Sequence, residues 1–193
     1  MMDKILGALT FKTGIYADAK KDTGFTASAW IIVGVTALLS ALGATAIFGR
    51  EGRMYAWLFG ALGSTVFAII GFALACFVVV WVAKTFFNAT ATFDEVVRAL
   101  GLARVWHVVG FLGIVSLISP ALGCVAGIFG LVAAVAGFIA WLIATKEVLA
   151  LEWPQTVGTV IIAWVVMALV TLIAGIVLGT FGLVGASIFG AFR

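Results

Sequence analysis

His107 is the single histidine of this chain, and Cys76 and Cys124 are its two cysteines. Imidazole and thiolate are the side chains that most often hold metals, haems and pigments. One histidine cannot make a bis-histidine haem within one chain. The cofactor chemistry left to His107 is a pigment held through a single axial imidazole. The other reading is an interfacial histidine bonded to a lipid headgroup or a backbone carbonyl, and the sequence favours it. Both cysteines fall inside apolar runs with no metal-site spacing, so they read as packing residues and not as a disulfide or redox pair. A membrane serine protease would need a base near its nucleophile, and none appears at depth; Ser64, Thr65 and Ser116 read as hydroxyls bonded to their own helices and not as the lining of a pore. Asp, Glu, Lys and Arg all fall in tails, connections or the ends of apolar runs. Ion-coupled transporters and proton pumps keep an ionisable group at depth, and none is expected here. The residues point away from an enzyme, and no cofactor or metal is expected.

The elements that would position these residues follow from composition. Of 193 residues, 65% are apolar and 10% charged, and the mean hydropathy is +1.30. Soluble domains carry roughly 45–50% apolar and about 25% charged residues. A water-soluble fold of this size could not cover its surface with so few polar side chains, and lipid removes that requirement. The expected fold is all-α, a polytopic transmembrane helical bundle of about five spans in one domain (residues 27–193), preceded by a short N-terminal segment (residues 1–26). The net charge of +3 comes from basic residues in short connections beside apolar stretches. Their expected partner is an anionic lipid surface, not nucleic acid.

In the N-terminal segment, Lys4, Lys12, Lys20 and Lys21 alternate with apolar residues, and Ile5, Leu9, Ile15, Tyr16 and Ala19 share a helical face. This predicts an amphipathic helix in the headgroup layer with its lysines on the phosphates, weakened by Gly7 and Gly14. Apolar runs then predict spans over about 27–48, 55–83, 105–119, 122–144 and 157–178. The first resembles a signal peptide at Ala44-Thr45-Ala46, but its charged region and apolar run are both too long for one, so it reads as a retained span. Thr92-Phe93-Asp94-Glu95 has the form of a capping box and starts a helix at Phe93. Asp94 and Arg98 sit four apart on its face, spaced to pair. Pro120 ends the third run and leads at once into the fourth, a hairpin with almost no loop. Trp30, Trp57, Trp81, Trp106, Trp141 and Trp153 fall near span ends, where indoles favour the interface; Trp164 falls inside a run. The tail from Gly179 to Arg193 is apolar and reads as a kinked continuation or a re-entrant end.

With five spans, Lys4, Lys12, Lys20, Lys21, Lys84, Arg98, Arg104 and Lys146 lie on one side, and Arg50, Arg53 and Arg193 on the other. The positive-inside rule places the N-terminus in the cytoplasm and the C-terminus outside. Gly123-xxx-Gly127 and Gly175-xxx-Gly179 have the spacing that lets membrane helices approach closely. They are expected to pack mainly within the bundle, with one face open to partner proteins or self-association as the alternative.

Thr92-Phe-Asp-Glu-Val-Val-Arg-Ala-Leu-Gly101-Leu-Ala-Arg resembles the stretch before the third span in the Yip family of Rab-interacting membrane proteins. Ala144-Thr-Lys-Glu-Val-Leu-Ala-Leu-Glu152 and the apolar run after it resemble that family's connection into its fifth span. The resemblance covers the chain from about residue 27. It implies five spans, a cytoplasmic N-terminus and, in eukaryotic members, Rab contact, vesicle trafficking and membrane shaping. The long polar N-terminal region of those members is missing here, and Leu102 and Trp106 stand where their Tyr and Pro would fall. The resemblance therefore implies the prokaryotic branch, where no Rab exists to serve as partner. The functional expectation is a non-enzymatic protein that organises partner proteins or lipid in a prokaryotic plasma membrane. An accessory subunit of a respiratory or photosynthetic complex, and a small-solute channel or facilitator, are the alternatives.

Overall fold

A computed structural model describes residues 2–190 of the chain. Among the described residues there are helices and turns but no strand. Two short helices, α1 (Met2–Leu9) and α2 (Gly14–Lys21), precede the first span, α3 (Phe25–Ala44). After α4 (Ala46–Arg50) come the second span, α5 (Met54–Phe87), and a composite third span. That span consists of α6 (Phe93–Ala103) and a 3-10 helix (Arg104–Leu117). The fourth and fifth spans are α7 (Pro120–Leu149) and α8 (Trp153–Gly190). Among the described residues, five helices are thus long and apolar enough to cross a membrane. Large apolar side chains face outward along them, with Phe59, Leu131 and Leu172 each more than 60% exposed. An outside of this kind is stable only against lipid.

The expected spans differ from the helices mainly at their ends. The run over 27–48 breaks at Thr45, whose hydroxyl bonds back to the Ala41 carbonyl, and α4 follows as a separate short helix. The second span runs to Phe87, where Asn88 turns left-handed and caps the last turn on the Ala83 carbonyl. The capping box at Thr92 is present in both directions. Ser119, in extended backbone, leads directly into Pro120 at the first turn of α7, so the near-loopless hairpin is as the sequence predicts. The tail continues as helix through Gly190; residues 191–193 lie outside the described part.

The 3-10 segment was not legible in the sequence. Fourteen residues at ~2.0 Å each reach about 28 Å, against about 21 Å as α-helix. Adding roughly 16 Å for the 11 residues of α6 brings the third span to about 44 Å, level with the roughly 45 Å of the 30 residues of α7. The tight turn at Ser119 pins the two spans together at one end. Stretched winding lets α6 lie against the far part of α7. The tighter winding also aligns every third residue, so Arg104, His107, Gly110, Gly113 and Ser116 fall along one side. Gly110 and Gly113 use the alignment to meet α3. A Cβ on Gly43 would overlap the Gly110 carbonyl oxygen, and one on Gly113 would stand 2.7 Å from the Gly43 carbonyl oxygen. Ser116 meets Gly123 of α7 on the other flank.

The interior is closed by aromatic rings. Phe72 on α5 meets Trp30 and Trp141 edge-on, and Trp141 meets Trp164. Trp141, 2% exposed, is a core residue and not the interfacial anchor its position suggested. The sequence overlooked that α7 is longer than its predicted run, which moves Trp141 inward from the span end. The N-terminal segment is corrected as well. Its apolar face is not spread on lipid headgroups: Ala8, Tyr16 and Ala19 are fully buried in the bundle's own core. Phe11 stacks on Trp106.

These contacts separate two classes of glycine. Gly43→Ala forces backbone apart and should lower stability by about 1–3 kcal/mol. Gly127→Ala, where nothing stands within 4 Å of the added carbon, should change it by at most about 1 kcal/mol, in the stabilising direction. Thermal unfolding of both variants in detergent checks this, and equal losses would contradict the packing described.

Candidate functional site

The base of the bundle, where α1, α2 and α6 meet the ends of α3 and α7, holds most of the charge. Arg98 lies on the buried face of α6, only 5% exposed. It donates from Nη1 to the Thr26 hydroxyl (3.1 Å) and from Nη2 to the Lys20 carbonyl (2.6 Å). The expected pair with Asp94 is therefore not what holds it. Asp94 is on the exposed side of α6, and Arg98 turns inward to satisfy a carbonyl at the end of α2. Lys20 completes the clasp by donating from Nζ to the Val148 carbonyl of α7 (2.8 Å). The clasp fixes the N-terminal helices to the third and fourth spans through backbone acceptors near helix ends, where carbonyls lack helical partners.

Of the four lysines expected to reach lipid phosphates, two are engaged within the chain. Lys20 holds Val148, and Lys4 pairs with Asp22 at 2.6 Å and lies over the Phe25 ring. The Lys4 ammonium holds the Asp22 carboxyl below the usual carboxylate range. Lys12 and Lys21 are exposed and available to a headgroup layer. Tyr16, on the amphipathic face of α2, is buried with its hydroxyl unpartnered. Burial pushes its pKa up to about 12.

Above the base, Arg104 corrects the expectation that every charge lies at a span end or in a connection. It begins the 3-10 helix inside the third span, 5% exposed, with Nε and Nη1 unpartnered among the described residues. Its guanidinium lies 5.5 Å from the centre of the Phe72 ring. A desolvated cation over an aromatic face gains about 2 kcal/mol, and among the described residues no acid pairs with it. Arginine does not release its proton in proteins, so this buried charge is no proton carrier. The sequence placed it at the start of an apolar run; the buried face of α6 carries it into the interior. His107, one 3-10 turn further, sits against Gly137 of α7, its Cε1 3.5 Å from where a Cβ would stand there. Its Nδ1 is buried without a partner. Cys76 is buried on α5 and Cys124 exposed on α7, both free. Among the described residues no three His, Cys, Asp or Glu side chains gather as metal ligands would.

Toward the other end of the bundle, α3, the 3-10 helix and α7 leave a groove of about 240 Å³. Ser40, Gly43, Gly110, Gly113, Gly123 and Gly127 line it. Of the four glycines singled out from spacing, only Gly123 packs inside the bundle, with a Cβ there 3.0 Å from Ser116. Among the described residues, Gly127, Gly175 and Gly179 meet nothing within 4 Å, so the described packing does not explain them. A smaller hollow of about 220 Å³ lies between α5 and α8, bordered by Ser64, Thr171 and Gly175. Gly110 and Gly113 of the 3-10 helix, by contrast, pack tightly against α3 at Ser40 and Gly43. Their sequence signal is a spacing of three, which a search at helical spacing passes over.

The clasp and Tyr16 respond differently to substitution. Arg98→Ala removes two charge-assisted bonds and should cost about 1.5–3 kcal/mol, freeing the segment before α3 to limited proteolysis in detergent. Tyr16→Phe removes only an unpartnered hydroxyl and should leave stability unchanged or raised near neutral pH. Because the folded pKa of Tyr16 is raised, its contribution is complete below pH 10 and is lost as pH rises toward 12. The variant should lose that alkaline step in stability. A step of unchanged size would show that Tyr16 is not its source.

A family model described as the Yip1 domain matches residues 6–175. No curated protein and no solved structure matches the chain. The match begins inside α1, so it takes in the N-terminal helices that the resemblance had left out, in keeping with their burial in the common core. The match extends from the base to the fifth span, and the chain belongs to the Yip1-domain family of integral membrane proteins.

Proposed function

We propose that this protein works by binding and not by catalysis, as a membrane-embedded scaffold that gathers partner membrane proteins against its fourth and fifth spans. The observation that carries this reading is the uncovered small-residue surface of α7 and α8. Only 22% and 17% of their most apolar stretches are buried, against 39% for α3 and α5. Gly127 on α7 and Gly175 and Gly179 on α8 have open space where a side chain would stand. Small residues at helical spacing let a neighbouring helix approach closely, and in lipid such packing drives association.

The membrane is proposed to be the plasma membrane of a prokaryote, with Leu102 and Trp106 in place of the tyrosine and proline of eukaryotic relatives. The N-terminus is proposed to be cytoplasmic. That orientation survives the burial of Arg98 and Arg104: with both left out, six basic residues remain on the N-terminal side against three on the other. Lys12 and Lys21, exposed beside α2, then face the anionic leaflet.

Gentle extraction of the tagged chain from its native membrane, followed by native mass measurement, tests the scaffold. The expected result is retention of a second membrane protein or a further copy of the chain. Gly127→Leu and Gly175→Leu should each reduce that retention at least tenfold with the thermal unfolding of the chain unchanged. A monomer carrying lipid alone, insensitive to both substitutions, would remove the scaffold reading.

A further inference from the structure

The 3-10 helix is the element whose length the backbone can change without breaking. From Val105 to Leu117 the only polar side chains are His107 and Ser116. This stretch reaches about 26 Å as 3-10 helix and about 20 Å as α-helix. Bilayer cores run from about 27 to 33 Å. The stretched form matches an ordinary core to within a few ångströms, whereas the α form suits a markedly thinner one. Spans α5, α7 and α8 are longer than any core and adapt to thickness by tilting. The 3-10 stretch of the third span has no spare apolar length at either end. Arg104 closes it on one side, and the Ser119–Pro120 turn on the other. Val108, Leu112 and Ile118 are exposed along it, so it meets hydrocarbon directly.

We propose that the third span reads bilayer thickness through its winding, 3-10 in a thick membrane and α in a thin one. Fourteen residues of 3-10 helix are far beyond the three or four over which that winding is usually sustained, which puts the α form within reach. The groove of about 240 Å³ beside Gly110 and Gly113 gives the helix room to turn. Rewinding also carries a signal. Residues three apart eclipse in a 3-10 helix but diverge by about 60° in an α-helix. Gly110 and Gly113 then cannot both lie against Ser40 and Gly43, and α3 must shift. The device needs lipid alone and no partner protein, so it stands independently of the scaffold.

Spin labels at V108C and I118C, in a C76A/C124A background, measure it in phosphatidylcholine vesicles with 14-, 18- or 22-carbon chains. The separation of the labels should fall by about 5 Å from the longest to the shortest chains. A control pair on α7, L122C and V132C, should hold constant. Equal third-span distances in all three lipids, or a matching change in the control pair, would overturn the proposal. Oriented-sample solid-state NMR of the ¹⁵N-labelled wild-type chain asks the same question without substitutions. Its third-span resonances should trace three residues per turn in long chains and 3.6 in short ones, and a wheel that does not change would overturn it equally.

Discussion

Inside a bilayer no water is available to a backbone N–H or C=O, and each group left unpaired costs several kcal/mol. Everything else in this molecule follows from meeting that demand within the chain. It explains why the described residues are helical, why the connections between spans are short, and why the third span tightens its winding instead of unravelling. A 3-10 helix pairs its backbone less well than an α-helix, but it pairs it while covering more distance. Where a tight turn at Ser119 fixes the pairing of two spans of unequal residue number, stretched winding is the solution that leaves no backbone group open to lipid.

The same demand decides where the charges go. Arg98 and Arg104 are both buried, yet they are accommodated differently. Arg98 satisfies backbone and hydroxyl oxygens where α2 meets α3. Arg104 lies over an aromatic ring with two of its nitrogens unpartnered. The first arrangement is structural, because it joins the N-terminal helices to the spans. The second leaves a cation in the interior with the Phe72 ring as its neighbour. An intramembrane charge of this kind is costly to keep, and its removal should be felt along the whole 3-10 segment that begins at it.

Membrane class and the number of spans were legible from hydropathy alone, because apolar run length maps onto bilayer thickness almost without reference to tertiary contacts. The capping box at Thr92 was legible because it is a local signal four residues long. The placement of Tyr16 and the N-terminal lysines was not, because each depends on which distant surface an amphipathic helix meets, and Trp141 was misplaced because α7 outruns its apolar stretch. A face of Ile5, Leu9 and Tyr16 suits a lipid surface or a protein groove equally well, and only the fold decides between them. The winding of Arg104–Leu117 was hidden for another reason. Its residues are good membrane α-formers, and the 3-10 form comes from the length mismatch with α7, a relation between two elements. The glycine seam against α3 was hidden with it, since a spacing of three is meaningful only once the winding is known.

The central claim is that this chain crosses a membrane five times, so that consecutive connections alternate sides. Single cysteines at Lys12, Gly52, Asn88, Ile118 and Glu152, introduced after removal of Cys76 and Cys124, measure it through a membrane-impermeant thiol reagent applied to intact cells. The account predicts modification at Gly52 and Ile118, with protection at Lys12, Asn88 and Glu152 until the membrane is opened. Modification of Asn88 together with Gly52, or of Ile118 together with Glu152, in sealed cells would contradict it.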